Sequence, residues 1–325
     1  MPPVVTLGDC IVDPTGEDSG KLASPKIMAG HEDNLPFLTR IADEIHRYGA
    51  VASIELNHAG MLRASAGVQA WGPDYINFDE TKTIAPLSDQ SASDEPVYRK
   101  GEVLFMTEEM IETVVDAFGR AAEQAKTCGF EMAMIHAGHG WLIHQFLSPL
   151  TNHRTDRFGG SLENRVKLTL EVIRGVREVV GPKFPIVVRW SPIDFIKSPA
   201  GPGLSMEDAL RIAPMLEEAG CDLHDLSVGW HETSEPLTTK AIEDGHWTFV
   251  SQQIKTVAKK PVAQGYRNTD PRVMEQNLQD GKLDVVAGLR YSIADPALPR
   301  KVMEDRTCDM RLCIVCCRCL DDVVS

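Results

Sequence analysis

Met134-Ile135-His136-Ala137-Gly138-His139-Gly140-Trp141-Leu142-Ile143-His144-Gln145-Phe146-Leu147-Ser148-Pro149 is the stretch on which the reading of the fold turns. An apolar run starting at Phe130 ends in two histidines three residues apart, followed by a glycine, an aromatic residue and a second apolar block. The run reads as a buried strand whose C-terminal end presents His136 and His139 to a cavity. Two neutral imidazoles at such a rim can donate to one carbonyl oxygen and so polarise an electrophile. His-x-x-His alone is unspecific: a zinc site, or two strand-end histidines without a special task, meets it equally. Farther along lies Asn152-His153-Arg154-Thr155-Asp156-Arg157-Phe158-Gly159-Gly160-Ser161-Leu162-Glu163-Asn164-Arg165.

Outward from this block, strand-like and helix-like segments alternate. Val4 to Leu7, Val51 to Leu56, Phe130 to Ile135, Pro185 to Arg189, Asp222 to Val228, Pro261 to Gln264 and Leu283 to Ala287 read as strands. Between and after them, Asn34 to Tyr48, Thr107 to Lys126, Leu162 to Val180, Ser205 to Ala219, Phe249 to Ala258, Asp270 to Asp280 and Pro296 to Asp305 carry helical periodicity. Ser205 is placed as an N-cap. The order suits right-handed parallel crossovers and an α/β barrel, although seven strands are counted where closure needs eight. A long polar stretch from Ala64 to Gly101 reads as a loop, with a lid over a substrate as the expected use.

The chain of 325 residues, 43% hydrophobic and 25% charged, has the composition of a globular protein with one large core. Its formal net charge of −14 argues against nucleic acid or an anionic membrane surface as the main partner. No apolar run reaches the length of a membrane span, and the N-terminus lacks the marks of a signal peptide, so the cytoplasm is the expected location. Cys10, Cys128 and Cys221 stand alone and read as core residues, whereas Cys308, Cys313, Cys316, Cys317 and Cys319 crowd the last eighteen residues. A disulfide framework is foreign to a cytoplasmic chain of this size, so ligation of a metal or cluster is the better reading of the tail.

Phosphates in a parallel barrel favour the loops after its last two strands, and both loops here pair glycine with arginine: Gln264-Gly265-Tyr266-Arg267 and Ala287-Gly288-Leu289-Arg290. Turn glycines with solvated arginines would look the same. Arg189 ends its strand inside the barrel mouth, where an unpaired guanidinium is costly; a barrel carboxylate such as Glu131 is one possible partner.

The His136 to Arg165 block resembles the Old Yellow Enzyme family of FMN-dependent reductases, and the likeness extends from Val4 to Leu320. It implies a (β/α)8 TIM barrel, here starting at the family's second strand, with residues 1–305 as the FMN-binding domain. It implies that His136 and His139 bind the substrate carbonyl, that Arg189 and Glu55 face the flavin pyrimidine, and that Gly8 approaches the ring through its backbone. The segments Gly265, Tyr266, Arg267 and Gly288, Leu289, Arg290 would hold the phosphate. Glu55 departs from the glutamine common in the family, and Trp141 from the tyrosine assigned there as proton donor; indole cannot take that role. His231 resembles an active-site histidine of 2,4-dienoyl-CoA reductases and is the candidate substitute, with surface-loop placement the alternative; Trp230 beside it would line the substrate pocket with Trp141.

Cys313, Cys316 and Cys319 form C-x2-C-x2-C, similar to the tail after the barrel in the 2,4-dienoyl-CoA reductase and trimethylamine dehydrogenase branch. Residues 306–325 are therefore expected to begin a 4Fe-4S segment whose fourth ligand lies beyond Ser325; a three-cysteine zinc site is the alternative. FAD and NAD(P)H are expected only through a downstream domain, which makes the chain a fragment on this reading. The activity implied is hydride transfer from reduced FMN to the activated C=C of an unsaturated carbonyl or thioester, with a homo-oligomer or a reductase as possible partner. An amine dehydrogenase with the same flavin, or an inactive barrel remnant, are the competing readings.

Overall fold

Valine-, isoleucine- and alanine-rich runs with apolar residues on both faces belong to strands covered on both sides, and here they join in one parallel sheet. The computed structural model of the protein describes residues 3–12, 32–60, 69–72, 76–78, 101–198, 201–230, 233, 237–317 and 319. The sheet comprises β1 (Val4–Ile11), β2 (Val51–Asn57), β3 (Met132–Ala137), β4 (Ile186–Trp190), β5 (Leu223–Leu226), β6 (Val262–Gln264) and β7 (Val285–Val286). Its seven strands lie in chain order, each parallel to the next, in an α/β architecture of TIM-barrel type.

The crossovers are supplied by α1 (Leu35–Arg47), α2 (Glu108–Thr127), α3 (Leu142–Leu147), α4 (Leu162–Arg165), α5 (Lys167–Val180), α6 (Met206–Ala219), α7 (Thr248–Ile254) and α8 (Pro271–Gln279). Two short helices, α9 (Arg290–Ala294) and α10 (Leu298–Met303), follow the last strand. Local chemistry explains several boundaries. The Thr107 hydroxyl accepts from Met110 N at the start of α2, and Ser205 with Asp208 closes a full capping box on α6. The helix expected over Leu162 to Val180 breaks at Val166, which ends α4 and begins α5. The polar stretch read as a loop holds strands instead: Gln69–Gly72 and Ile76–Phe78 pair with Gly101–Phe105 in a small second sheet. Most of the remaining Ala64 to Gly101 segment lies outside the described residues.

Alternation decides what each strand residue meets. Ile54, Leu56, Ala133, Ile135, Ile186, Val188, Leu226 and Val262 are fully buried in the core beneath α2, α5 and α6. Residues of the opposite parity face the barrel interior. Asp222 to Val228, read as a strand, is unusually polar because it serves both sides. His224 turns to the helix layer, its Nε2 3.2 Å from Glu217 Oε1 on α6, while Asp225 stands beside Arg189. Cys10, Cys128 and Cys221 are buried, as their isolation suggested. Among the described residues no helix is long and apolar enough to cross a membrane.

Candidate active site

Register sets the interior surface row by row. Glu55, Met134 and Val187 are neighbours across β2, β3 and β4; His136, Arg189, Asp225 and Ala263 form the next row, from β3 to β6. That row stands at the C-terminal rim, where parallel barrels collect their chemistry.

Arg189 Nη1 donates to Glu55 Oε1 at 2.9 Å, its Nε donates to Ser227 Oγ at 3.3 Å, and Asp225 Oδ2 lies 3.8 Å away. Burial works against the guanidinium charge, but Glu55 and then Asp225 outweigh it and raise the pKa further. Burial pushes the Asp225 carboxyl up, with Arg189 opposing. Glu131 is not the partner of Arg189: it precedes β3 at the opposite end of the barrel and meets His46 Nε2 at 3.0 Å. Gly8 matters for this pair, since a Cβ there would collide with the Glu55 carboxylate.

From Glu55 a chain of polar contacts crosses the mouth. Glu55 Oε1 lies 3.5 Å from His136 Nδ1, His136 Nε2 is 2.7 Å from His139 Nδ1, and His139 Nε2 is 2.6 Å from the Tyr266 hydroxyl. Both imidazoles are buried, at 4% and 5% exposure. The structure thus brings the two histidines together at the rim but bonds them to each other, so a shared carbonyl oxygen would take over contacts now made within this chain. Burial also lifts the Tyr266 phenol pKa, against the pull of Arg189 and Arg290.

His139 is placed by its backbone. It has φ 57°, its N–H donates to Ser191 Oγ at 3.2 Å, and it forms an isolated bridge with Trp230. Gly140, at φ 85°, is needed twice over: for the left-handed turn and because a Cβ would enter the Trp230 ring. Gly140 N donates to His144 Nδ1 at 2.9 Å, which puts the ring proton on Nε2, facing Asp194 Oδ1 at 2.9 Å. Asp194 also accepts from Ser148 Oγ at 2.6 Å and Leu204 N at 2.8 Å. Burial opposes the Asp194 charge, yet His144 and these hydrogen bonds prevail and hold its pKa below the ordinary value.

Other expected site residues fall in various places. Trp141 is buried with its ring 6.1 Å from that of His136. Trp230 is 1% exposed and packs on His144 at 4.7 Å, so it supports the loop rather than lining an open pocket. Arg267 turns to Ile242 O at 2.7 Å and lies 3.5 Å from Asp244, while Leu289 is exposed. Arg290 differs: its Nε is buried with no hydrogen-bond partner among the described residues. A Cβ at Gly265 would meet only Ala287 O, at 4.0 Å. A buried unpaired guanidinium nitrogen and open room at a glycine fit an anionic group such as the phosphate of FMN. His231 lies outside the described residues.

The Asn152 to Arg165 block proves to be scaffolding. Asn152 Nδ2 donates to Phe146 O and Phe158 O, Arg154 Nη1 to Met106 O, and Arg165 Nε to Leu147 O. These bonds clamp the segment that follows the histidines.

Among the described residues no group of three histidine, cysteine or carboxylate side chains is placed to hold a metal, so Cys313, Cys316 and Cys319 are not gathered into a ligand set. Cys316 is exposed, Cys313 Sγ accepts from Val315 N at 3.4 Å, and Cys317 Sγ turns to Thr238 O at 3.8 Å. Left-handed backbone at Val315 and Cys317 bends the segment between the thiols. The tail is instead docked by Asp295, which accepts from Lys301 Nζ at 2.7 Å and Arg311 N at 3.0 Å.

A family model described as the NADH:flavin oxidoreductase / NADH oxidase family matches residues 5–309. The chain belongs to that family. It is 35% identical over 326 residues to a metal reductase of Desulforamulus reducens, covering 98% of this chain and 44% of that protein. The solved complex of 2-naphthoyl-CoA reductase with 2-naphthoyl-CoA matches with a TM-score of 0.84 and 30% identity, over 97% of this chain and 46% of that one. A 6-hydroxypseudooxynicotine amine oxidase from Pseudomonas geniculata N1 matches with a TM-score of 0.82 and 26% identity, over 98% and 45%. The chain therefore spans less than half the length of these relatives. Membership bears out the resemblance to FMN-type flavin oxidoreductases and the barrel it implied.

Sequence reasoning missed two things. Asp194, the anchor of His144, is fifty positions away in sequence, and nothing local in Ser191-Pro192-Ile193-Asp194 signals it. Tyr266 was read with the phosphate loop, whereas its hydroxyl reaches His139 across the mouth.

Proposed function

We propose that this chain is the FMN-binding barrel domain, residues 1–305, of an ene reductase acting on an α,β-unsaturated carbonyl or thioester. The observation that carries the reading is the buried sequence of groups Glu55, His136, His139 and Tyr266 beside the charged Arg189. FMN, when bound, supplies the hydride. Arg290 and the Gly265 loop would hold its phosphate, and Arg189, kept cationic by Glu55 and Asp225, would face the electron-rich edge of its ring. His136 and His139 then donate to the substrate oxygen and stabilise the charge that develops there. The thioester class is suggested by the 2-naphthoyl-CoA held in the similar reductase structure.

An amine dehydrogenase is the second reading, favoured by the similar amine oxidase. A cation site of aromatic rings needs ring faces open to the ligand; Trp230 is buried against His144, which supports the reductive reading. NAD(P)H would deliver electrons through a further flavin module or a reductase partner, so the chain alone should be reduced slowly by NADH and readily by dithionite. The test is to load the protein with FMN, reduce it anaerobically with dithionite, and add an enone or unsaturated thioester. Reoxidation in the flavin absorbance supports ene reduction. Bleaching of oxidised flavin by an amine, without enone reactivity, refutes it in favour of the second reading. Failure to retain FMN at all supports an inactive remnant.

A further inference from the structure

We propose that Glu55 sets the reducing power of the site: its carboxylate cancels the charge that Arg189 would otherwise offer to the flavin and holds the FMN potential low. The inference goes beyond the ene-reductase reading and rests only on the part of it that seats FMN at the barrel mouth.

The geometry separates charge from hydrogen bonding. Arg189 Nη1 donates to Glu55 Oε1 at 2.9 Å, and a glutamine side chain could accept the same bond through its carbonyl oxygen. What glutamate adds is a full negative charge, on a side chain only 6% exposed. The guanidinium already has a second carboxylate, Asp225, at 3.8 Å, so two acids stand against one base on the inner faces of β2, β4 and β5. Arg189 keeps 31% of its side chain exposed. A ring at the mouth therefore meets an over-compensated cluster and not an isolated cation.

The fold fixes the carboxylate in this place. Gly8 leaves it room, since a Cβ there would collide with Glu55 Oε2. On the neighbouring strand His136 Nδ1 lies 3.5 Å from Oε1, the oxygen that Arg189 also holds. The field of Glu55 reaches other groups around the mouth. Burial is the main cause of the raised pKa of Cys10, at about 12, and of those of Asp225 and Tyr266, and Glu55 adds to all three. A field that hinders ionisation of its neighbours also hinders the arrival of negative charge on a ring beside it.

Charge at the edge of a flavin ring tunes its potential, and a cation there favours the reduced form. Arg189 alone would raise the potential. Glu55 and Asp225 together reverse the sign of the local charge, which makes bound FMN the stronger reductant. The gain falls on acceptors whose C=C takes hydride reluctantly, and the corresponding loss is a harder reduction of FMN by NADH.

The experiment measures the potential of FMN bound to wild type, Glu55→Gln and Asp225→Asn. Xanthine and xanthine oxidase supply electrons slowly under anaerobic conditions, with methyl viologen as mediator and a reference dye in the same cuvette. At a fixed dye ratio, Glu55→Gln should raise the ratio of reduced to oxidised FMN about tenfold or more, equivalent to a shift of about 30 mV upward for two electrons. Asp225→Asn should move it the same way by less, because its carboxylate stands farther from Arg189. Binding gives a second readout: by linkage, the Kd of reduced FMN relative to that of oxidised FMN should fall by the same factor in Glu55→Gln. An unchanged or lower potential in Glu55→Gln would overturn the proposal. Loss of FMN in both oxidation states from that variant would overturn it too, by making Glu55 a plain cofactor ligand. Wild type that retains no FMN would overturn the flavin reading itself. Wild type that binds FMN but ignores enones would overturn the ene-reductase reading alone, with the potential shift still deciding the role of Glu55.

Discussion

Asp194→Ala should be among the most damaging single changes outside the mouth. The wild-type carboxylate receives His144 Nε2 at 2.9 Å, Ser148 Oγ at 2.6 Å and Leu204 N at 2.8 Å, and both His144 and Asp194 are buried. Removing it strands three buried donors. Each unsatisfied group costs about 1–3 kcal/mol, and breaking a buried polar pair by removing one partner costs about 3–5 kcal/mol in total. We expect about 3–5 kcal/mol, read as a lower urea midpoint with unchanged slope. Asp194→Asn should cost less, about 1–3 kcal/mol, because one carbonyl oxygen remains while the amide N–H2 faces a donor. The pH dependence has a definite sign. The folded pKa of Asp194 lies below its ordinary 3.8, so its stabilisation is complete above that value and fades as pH falls through the lower folded value. The reasoning also carries a site consequence: with His144 loosened, Gly140 and the adjacent His139 lose their anchor, and enone-driven reoxidation should slow in Asp194→Ala even where the protein remains folded. An Asp194→Ala protein within 1 kcal/mol of wild type, by the same scale, would refute the idea that this triad holds the histidine loop.

Arg290→Ala should lose a charge-assisted contact of about 1.5–3 kcal/mol, seen as FMN release on gel filtration; unchanged retention would refute the phosphate assignment. His136→Ala or His139→Ala should slow reoxidation of reduced flavin by an enone about 100-fold, the scale of one lost oxyanion donor; chelator-sensitive activity would point to a metal instead. Burial pushes the Cys10 and Cys221 thiols up to about 12, whereas Cys308 and Cys316 are exposed. Iodoacetamide at neutral pH should therefore label the tail and spare Cys10 and Cys221 until the protein unfolds, which mass spectrometry of digests would report.

Much of the architecture was legible because it rests on local periodicity. Buried parallel strands announce themselves as short apolar runs, and capped amphipathic helices by serine or threonine before a stripe, so all seven sheet strands were found near their observed places. The His136 to Arg165 block was legible as a family mark, yet its second half turned out to be a clamp of arginine and asparagine bonds to backbone carbonyls. Short buried helices such as α3 escaped, since six residues carry too little periodicity to tell helix from strand. The tail stayed open because cysteine spacing states which ligands are available, not whether the backbone gathers them.

By itself the sequence determined the alternating α/β order, the row of polar residues at strand ends, and membership in a flavin oxidoreductase family. Those properties depend on residue type and spacing along one strand or helix. Only the tertiary structure decided the partners: Arg189 with Glu55 rather than Glu131, His144 with Asp194, and Tyr266 with His139. Each of these joins residues from different strands, and their meeting depends on inter-strand register and on which parity faces inward. A shift of one residue in β4 would send Arg189 to the helix layer and take it from Glu55, without changing any pattern visible in the chain.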